Sequence, residues 1–286
     1  MSENINKVTG LLVIEVVNSN PNGNPDQESD PRIRANGRGE ISPVSFKRKL
    51  RDLMELTEGP VYQRVGNELP DVPQGYEFNI LESRGRKRDE VKTEMGTDPK
   101  QFLSSVFVKK YWDARLFGNT FLEEGGDKEF IKTGIAQFGL GLSVAPVTVQ
   151  RQTWTNKAGV QEGKNQGMAP LAFRVVEHGV YVMPFFINPS LAHKSGCKPC
   201  DVELLKRLIP YAYDHTRSLV RTDIRIRHAW WLDHGNALGK QPDWKLIEAL
   251  TPKRKGDADA PSASWEDYEV PVPSEILGIK VEDLMK

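Results

Sequence analysis

At 286 residues, with 38% hydrophobic and 27% charged residues and a formal net charge of zero, the chain has the composition of an ordinary folded protein, large enough for one big domain with insertions or two smaller ones. Zero net charge excludes a uniformly basic nucleic-acid coat, and no apolar run reaches the ~18–20 residues that span a bilayer. The segment MSENINK lacks the basic and apolar regions of a secretory signal, so a cytoplasmic protein without membrane contact is expected.

Residues 8–17 (VTGLLVIEVV) are a nearly unbroken apolar run rich in β-branched side chains, which predicts a central strand buried on both faces. Residues 18–41 hold many turn formers and no hydrophobic period, and a loop of that length suggests a function of its own. Ser42 and Pro43 supply an N-cap and N1 pair for a helix that ends before Gly59–Pro60. Within it Phe46, Leu50, Leu53 and Met54 share one side at 100° per residue, and Lys47, Arg48 and Arg51 fall beside them as a basic ridge.

Residues 60–110 read as an irregular, partly helical insertion. Residues 135–149 read as a strand with a Gly/Pro break, and residues 150–169 as an extended hairpin. Residues 180–187 (VYVMPFFI) predict a strand that Pro184 places at an edge or a bulge. Asp201 is expected to cap a helix carrying Leu204, Leu205 and Leu208, with a kink at Pro210. From Arg221 to Leu232, Ile224 and Ile226 alternate with Arg225 and Arg227, giving a strand with one basic face. Beyond residue 241 the chain turns polar and Pro-rich, which predicts a peripheral tail. Strand, helix, insertion, strand, hairpin, strand, helix, strand is the order of an α+β fold with a βαββαβ core, whose commonest partner is single-stranded RNA.

The charge is concentrated. Between Arg32 and Arg51 there are seven basic residues (Arg32, Arg34, Arg38, Lys47, Arg48, Lys49, Arg51) and one acid, Glu40, a net of +6. So much charge on a strand–loop–helix corner suits a polyanion, because each phosphate neutralised releases condensed counterions. A solvated basic face is the plain alternative. Cys197 and Cys200 form a CxxC pair near His193, which could hold part of a zinc site or a redox pair, or be a turn before a helix. His178, His193, His215, His228 and His234 are scattered without metal-ligand spacing. Asp26 and Asp30 are the acids of the long loop that could act on RNA. The residues speak for binding rather than turnover, with no cofactor expected.

The run NPNGNPD…PRIR…SFKRKLRDLM resembles the signature of the CRISPR-associated backbone subunit of Cascade, in its type I-C form, within the RAMP superfamily. YWDARLFG is similar to the family's central D-x-R-x-F-G element, HGVYVMPFFINPSLA to its late strand and NP turn, and HTRSLVRTDIRIRHAWWLDHGNALG to its R-S-x-x-R block. The four segments occur in order over about residues 8–240. The resemblance implies a modified RRM-like (ferredoxin-like) palm over 1–58 and 111–240, a helical finger over 59–110, a β-hairpin thumb at about 148–173, and a tail over 241–286 outside it. It implies a non-catalytic subunit that stacks with further copies of itself and other Cascade subunits along a CRISPR RNA. The guide is held for pairing with target DNA, and a separate helicase-nuclease cuts. Lys47, Arg48 and Arg51 would then grip RNA phosphates, with Asn20, Arg34 and Ser42 near the same backbone. Met168 would wedge into the base stack, and Arg217 and Arg221 would contact RNA or a neighbouring subunit. An endoribonuclease of the same superfamily, using Asp26 and Asp30, is the alternative.

Overall fold

In the computed structural model, which describes residues 5–119, 132–157 and 168–286, the first apolar run forms β1 (Val8–Ser19) inside a large antiparallel sheet. The other elements used below are β2 (Arg38–Ile41), α1 (Pro43–Glu55), α2 (Arg88–Met95), α3 (Val106–Lys110) and α4 (Trp112–Phe117), then β3 (Ala136–Phe138), β4 (Gly141–Pro146), β5 (Val149–Lys157) and β6 (Met168–Ile187), and finally α5 (Pro199–Leu208), β7 (Ile224–Asp233), α6 (Asp243–Leu250) and β8 (Glu282–Asp283). The sheet order is β8-β7-β1-β6-β4-β2, with β3 and β5 also paired to β6. The fold is mixed α/β.

β1 is apolar without alternation because both of its faces are covered. Leu12, Ile14 and Val16 enter the main core with Tyr181, Met183 and Phe185 of β6, beneath Phe46, Leu50 and Leu53 of α1 and Leu204, Leu205 and Leu208 of α5. Leu11 and Val13 face the other way, against Val180, Trp230 and Leu232. Gly10 permits the closest approach within the sheet: a Cβ there would lie 2.0 Å from the Phe185 ring of the paired strand. Ser42 caps α1 as expected, its Oγ accepting from the Ser45 N–H at 3.2 Å.

Three expectations need correction. The long loop contains β2, four residues that join the sheet edge by pairing with β4, too short to leave a periodic signal. Of the edge or bulge expected at Pro184, the edge fails, since the residue sits inside β6 within the sheet at an irregularity of the ladder. It pairs with Leu11 on one side, and on the other its carbonyl accepts from Gly139 N–H, at the break between β3 and β4, so its missing N–H faces a gap in the ladder. The segment after 241 is not peripheral. Leu246, Leu250, Tyr268, Ile279 and Val281 cover the sheet's second face, and β8 adds to its edge beside β7. Its polar composition misled because a few spaced apolar residues suffice to cover half a sheet face.

Residues 91–114 carry a small core of their own, Val91, Met95, Phe102, Phe107 and Val108, closed by Tyr111 and Ala114. They are fastened to the rest through α4. Arg115 is fully buried and uses all five of its N–H donors: on Asp201 at 2.7–3.1 Å and on the carbonyls of Val108 (2.7 Å), Lys109 (2.9 Å) and Glu77 (2.9 Å). Asp201 lies at the third position of α5, where it also accepts from the Lys198 N–H at 2.8 Å; it belongs to a capping box and is not itself the N-cap. Two residues before Arg115, Asp113 accepts from Arg51 Nε (2.9 Å) and from the backbone N–H groups of Leu81 (2.6 Å) and Glu82 (3.2 Å). Gly118 ends α4 at φ +90°, where a Cβ would meet the Gly134 nitrogen at 2.5 Å. The D-x-R-x-F-G element is thus an internal fastener.

Removing one side of a buried, hydrogen-bonded ion pair leaves the other charge stranded. Arg115→Ala is therefore expected to cost roughly 3–5 kcal/mol of stability, measured as a drop in urea midpoint at unchanged m-value; a variant as stable as the parent would remove the fastener role.

Candidate nucleic-acid interface

The end of β1, the start of α1 and the turn before β7 meet in one corner. Asn20 is buried; its Nδ2 donates to the Ser29 carbonyl at 2.7 Å, its N–H to the Val220 carbonyl at 2.7 Å, and its own carbonyl accepts from Arg221 Nε at 3.0 Å. Asn22 Oδ1 accepts from the Ser42 N–H at 2.7 Å, tying the loop to the cap of α1. Lys49, on the same side of the helix, donates to the Thr216 carbonyl at 3.3 Å. The fold thus joins Asn20, Ser42 and Arg221, three residues far apart in sequence, and adds Lys49.

The predicted ridge divides. Arg48 is spent on acids of its own helix, Asp52 at 2.7 Å and Glu55, and on the Glu82 carbonyl at 2.6 Å. Arg51 points inward, its side chain 4% exposed, between Asp113 (2.9 Å) and Glu82 (3.0 Å). Lys47 is half-buried with its amine 5.0 Å from the centre of the Phe117 ring, and among the described residues it has no carboxylate within ion-pair distance. Arg34 lies apart on the sheet edge, sharing Glu40 with Arg32 at 3.5 and 3.9 Å. Arg217 is exposed beside Asp214 (2.9 Å). The Met168 backbone pairs with Lys157 at the far end of the hairpin; its side chain and residues 158–167 lie outside the described residues.

The seven cations are therefore unequal. Arg32, Arg34, Arg48 and Arg51 already have carboxylate partners, whereas among the described residues Arg38, Lys47 and Lys49 have none. Burial pulls the Lys47 amine below the usual lysine range, and the Arg51 guanidinium adds to this against the weaker pull of Glu82. Burial does the same to Lys49, with Arg221 and Arg48 lowering it further against Asp52. Each of the two ammonium groups thus sits next to other cations on its own side of α1, with no carboxylate within ion-pair distance among the described residues. Lys49 falls outside the ridge drawn on the helix, and no sequence signal marks it, because Arg221 and Thr216 reach it only through the fold.

The acids and ligand candidates look elsewhere. Asp30 is engaged by Arg174 of β6, and the adjacent Glu28 and Ser29 adopt left-handed backbone (φ 49° and 64°) at a cavity of about 310 Å³ between this loop and the hairpin. His178 bonds Ser262 (2.7 Å), His228 bonds Asp283 (2.8 Å), and His234 is buried against Thr9 (2.9 Å). All three stitch the sheet to its neighbours. Cys197 and Cys200 are buried, and burial pushes the first thiol well up and the second to about 11, which disfavours the thiolates that zinc or redox chemistry needs. Among the described residues no three metal-ligating side chains come together, and no helix is long and apolar enough to cross a membrane.

The fold is that of a mixed α/β protein with a large antiparallel sheet, and cationic side chains of α1 and of the turn before β7 gather at its corner. The chain belongs to the family of CRISPR-associated protein Cas7, whose model matches residues 6–273 and so extends into the segment that covers the second sheet face. It is similar to a CRISPR-associated protein Cas7 of Haloferax volcanii, 24% identical over 231 residues, covering 71% of this chain and 63% of that protein's length. Among solved structures it is similar to a chain of a CRISPR RNA-guided surveillance complex, pre-nicking (TM-score 0.47, 13% identity, 79% of this chain and 78% of the other). It is also similar to a chain of a type III-B Cmr-beta complex bound to cognate target RNA (TM-score 0.43, 8% identity, 80% and 61%).

Because the folded state lowers the Lys47 and Lys49 pKa values, their charge is disfavoured in the free protein at neutral pH, and that cost is relieved as pH rises through the lowered values. A docked anion reverses the shift, so binding takes up protons on the alkaline side. Affinity for single-stranded RNA is expected to fall before ordinary lysines titrate, with a heat of binding that depends on the buffer's ionisation enthalpy; a flat alkaline profile would argue that neither amine touches the ligand.

Proposed function

We propose that this chain is a non-catalytic backbone subunit of a type I-C CRISPR Cascade surveillance complex. In this reading copies polymerise along the spacer of a CRISPR RNA and present it for pairing with invading double-stranded DNA, while other subunits and a recruited helicase-nuclease complete the response. The observation that carries the reading is the half-buried and buried ammonium groups of Lys47 and Lys49, each beside other cations and without a carboxylate within ion-pair distance among the described residues. Membership of the Cas7 family supplies the identity of the polyanion.

The strand order β7-β1-β6-β4, with α1 and α5 on one face, supports an RRM-like palm. The small separate core of residues 91–114 supports a finger, and the β5–β6 ladder supports a thumb hairpin. Lys47, Lys49 and Arg221 would contact phosphates, Asn20 and Ser42 would shape the corner, and Met168 would wedge between bases. Arg48, through Asp52 and Glu55, and Arg51, through its buried pair with Asp113, would hold the surrounding backbone in place. Arg34 and Arg217, at the rim, would meet RNA or the neighbouring copy.

Single substitutions to alanine at Lys47, Lys49 and Arg221 are each expected to weaken binding of a single-stranded RNA similarly for all sequences. Each should reduce the slope of log K against log salt by about 0.7, the value for one single-strand phosphate contact. Slopes unchanged in all three variants would move the RNA elsewhere on the protein.

The ion pair of Asp30 with Arg174 also supports a non-cleaving role, because a carboxylate so engaged is poorly placed to act as base or metal ligand. The purified protein is expected to leave labelled repeat RNA and guide-paired target RNA intact, with the parent and Asp30→Ala indistinguishable. Cleavage by the parent that Asp30→Ala abolishes would establish the endoribonuclease instead.

A further inference from the structure

One carboxylate beside α1 faces solvent and cations at once. The backbone of Glu82 is fastened on both sides, its N–H donating to Asp113 Oδ2 at 3.2 Å and its carbonyl accepting from Arg48 Nη1 at 2.6 Å. Its side chain is 53% exposed, with Oε2 3.0 Å from Arg51 Nη1. Arg51 has a second acid, Asp113, on its Nε, but that carboxylate is 1% exposed and also holds the backbone N–H groups of Leu81 and Glu82. An anion from solvent can replace Glu82 and cannot replace Asp113. Lys47, whose charge Glu82 favours, stands on the same side of α1, where its amine and Arg51 share the Phe117 ring at 5.0 and 5.2 Å.

We propose that the Glu82 carboxylate is a placeholder for a phosphodiester. In the free protein it holds the anion position against Arg51 and Lys47, and a docking strand displaces it into solvent without disturbing the Arg51–Asp113 pair. The inference rests on the RNA-binding reading and adds a selectivity to it. A tethered carboxylate competes at high local concentration, so an isolated small anion gains nothing by displacing it. A polyanion anchored at neighbouring contacts can displace it, which tunes the site toward polymers and away from free phosphate.

The test is fluorescence anisotropy of a labelled single-stranded RNA over a range of potassium chloride, with the full-length chain and Glu82→Gln, Glu82→Ala and Glu90→Gln. Glu90 is an exposed acid of the same stretch, 3.6 Å from Lys87, and controls for loss of any negative charge. Both Glu82 variants should bind roughly two- to fivefold tighter, the range for an exposed ion pair. Their log K against log salt slopes should steepen by up to about 0.7, and Glu90→Gln should match the parent. Weaker or unchanged binding by the Glu82 variants, or an equal gain from Glu90→Gln, overturns the placeholder. If the parent itself binds no RNA, the RNA-binding reading fails and the inference falls with it; a parent that binds, beside inert Glu82 variants, sinks the inference alone.

Discussion

The burial of Arg115 is the constraint on which the rest of the structure depends. A guanidinium removed from water is tolerable only if its charge is matched and every N–H is bonded, because a stranded donor or charge in the interior costs more than the pair gains. Arg115 meets that condition by drawing together four segments: the backbone at Glu77, the end of α3, α4 itself and the first turn of α5. Asp113, on the same short helix, repeats the device toward α1 and residues 81–82. One helix of six residues thereby sets where residues 77–110 stand relative to the sheet and to α1.

That arrangement also decides which positive charges remain available. A count of lysines and arginines treats them as equal, yet Arg51 is consumed as a structural cation because α4 brings Asp113 to it, and Arg48 because Asp52 and Glu55 follow on its own helix. Of the three left without a carboxylate partner among the described residues, Arg38 lies on β2, while Lys47 on one side of α1 and Lys49 on the other are each desolvated and each beside an arginine. Desolvation weakens an isolated ammonium but strengthens its attraction to an incoming phosphate, since the same low dielectric acts on both. A neutral protein can therefore hold a polyanion locally with few cations, provided the fold leaves those few unmatched.

The sheet's second face follows similar logic with apolar groups. β1 exposes Leu11 and Val13 on the side away from α1 and α5, so something must cover them, and α6 with the strands after it does so. Polar ties reinforce the cover. Burial pushes the Asp283 carboxyl up, but hydrogen bonds from His228 and from the Ala229 and Met285 N–H groups outweigh it and leave it below the usual range. Glu15 is likewise held low: burial raises it, and the hydrogen bond from His178 with the charges of Arg227 and Arg225 outweighs that. The stability both carboxylates contribute is present above their unfolded pKa values and is lost as pH falls through the lowered ones.

By itself the sequence determined the elements whose signals are local. The unbroken apolar run of β1, the Ser42–Pro43 start of α1 with its Phe46–Leu50–Leu53–Met54 stripe, and the Ile–Arg alternation of β7 are each written in spacing and side-chain type over a few residues. So is the concentration of charge between Arg32 and Arg51, and with it the expectation of a polyanion. The tertiary structure alone decided what those charges do. That Arg51 is anchored to an aspartate depends on a residue 62 positions away, and what Lys49 faces depends on Thr216 and Arg221. Pro184 could be read as an edge residue because a gap in the neighbouring ladder leaves no local trace, and the covering role of residues beyond 241 because sparse apolar positions become a core only once folded against a face that needs them. Local physics writes elements into a sequence; the pairing of charges and faces is a property of distance in space.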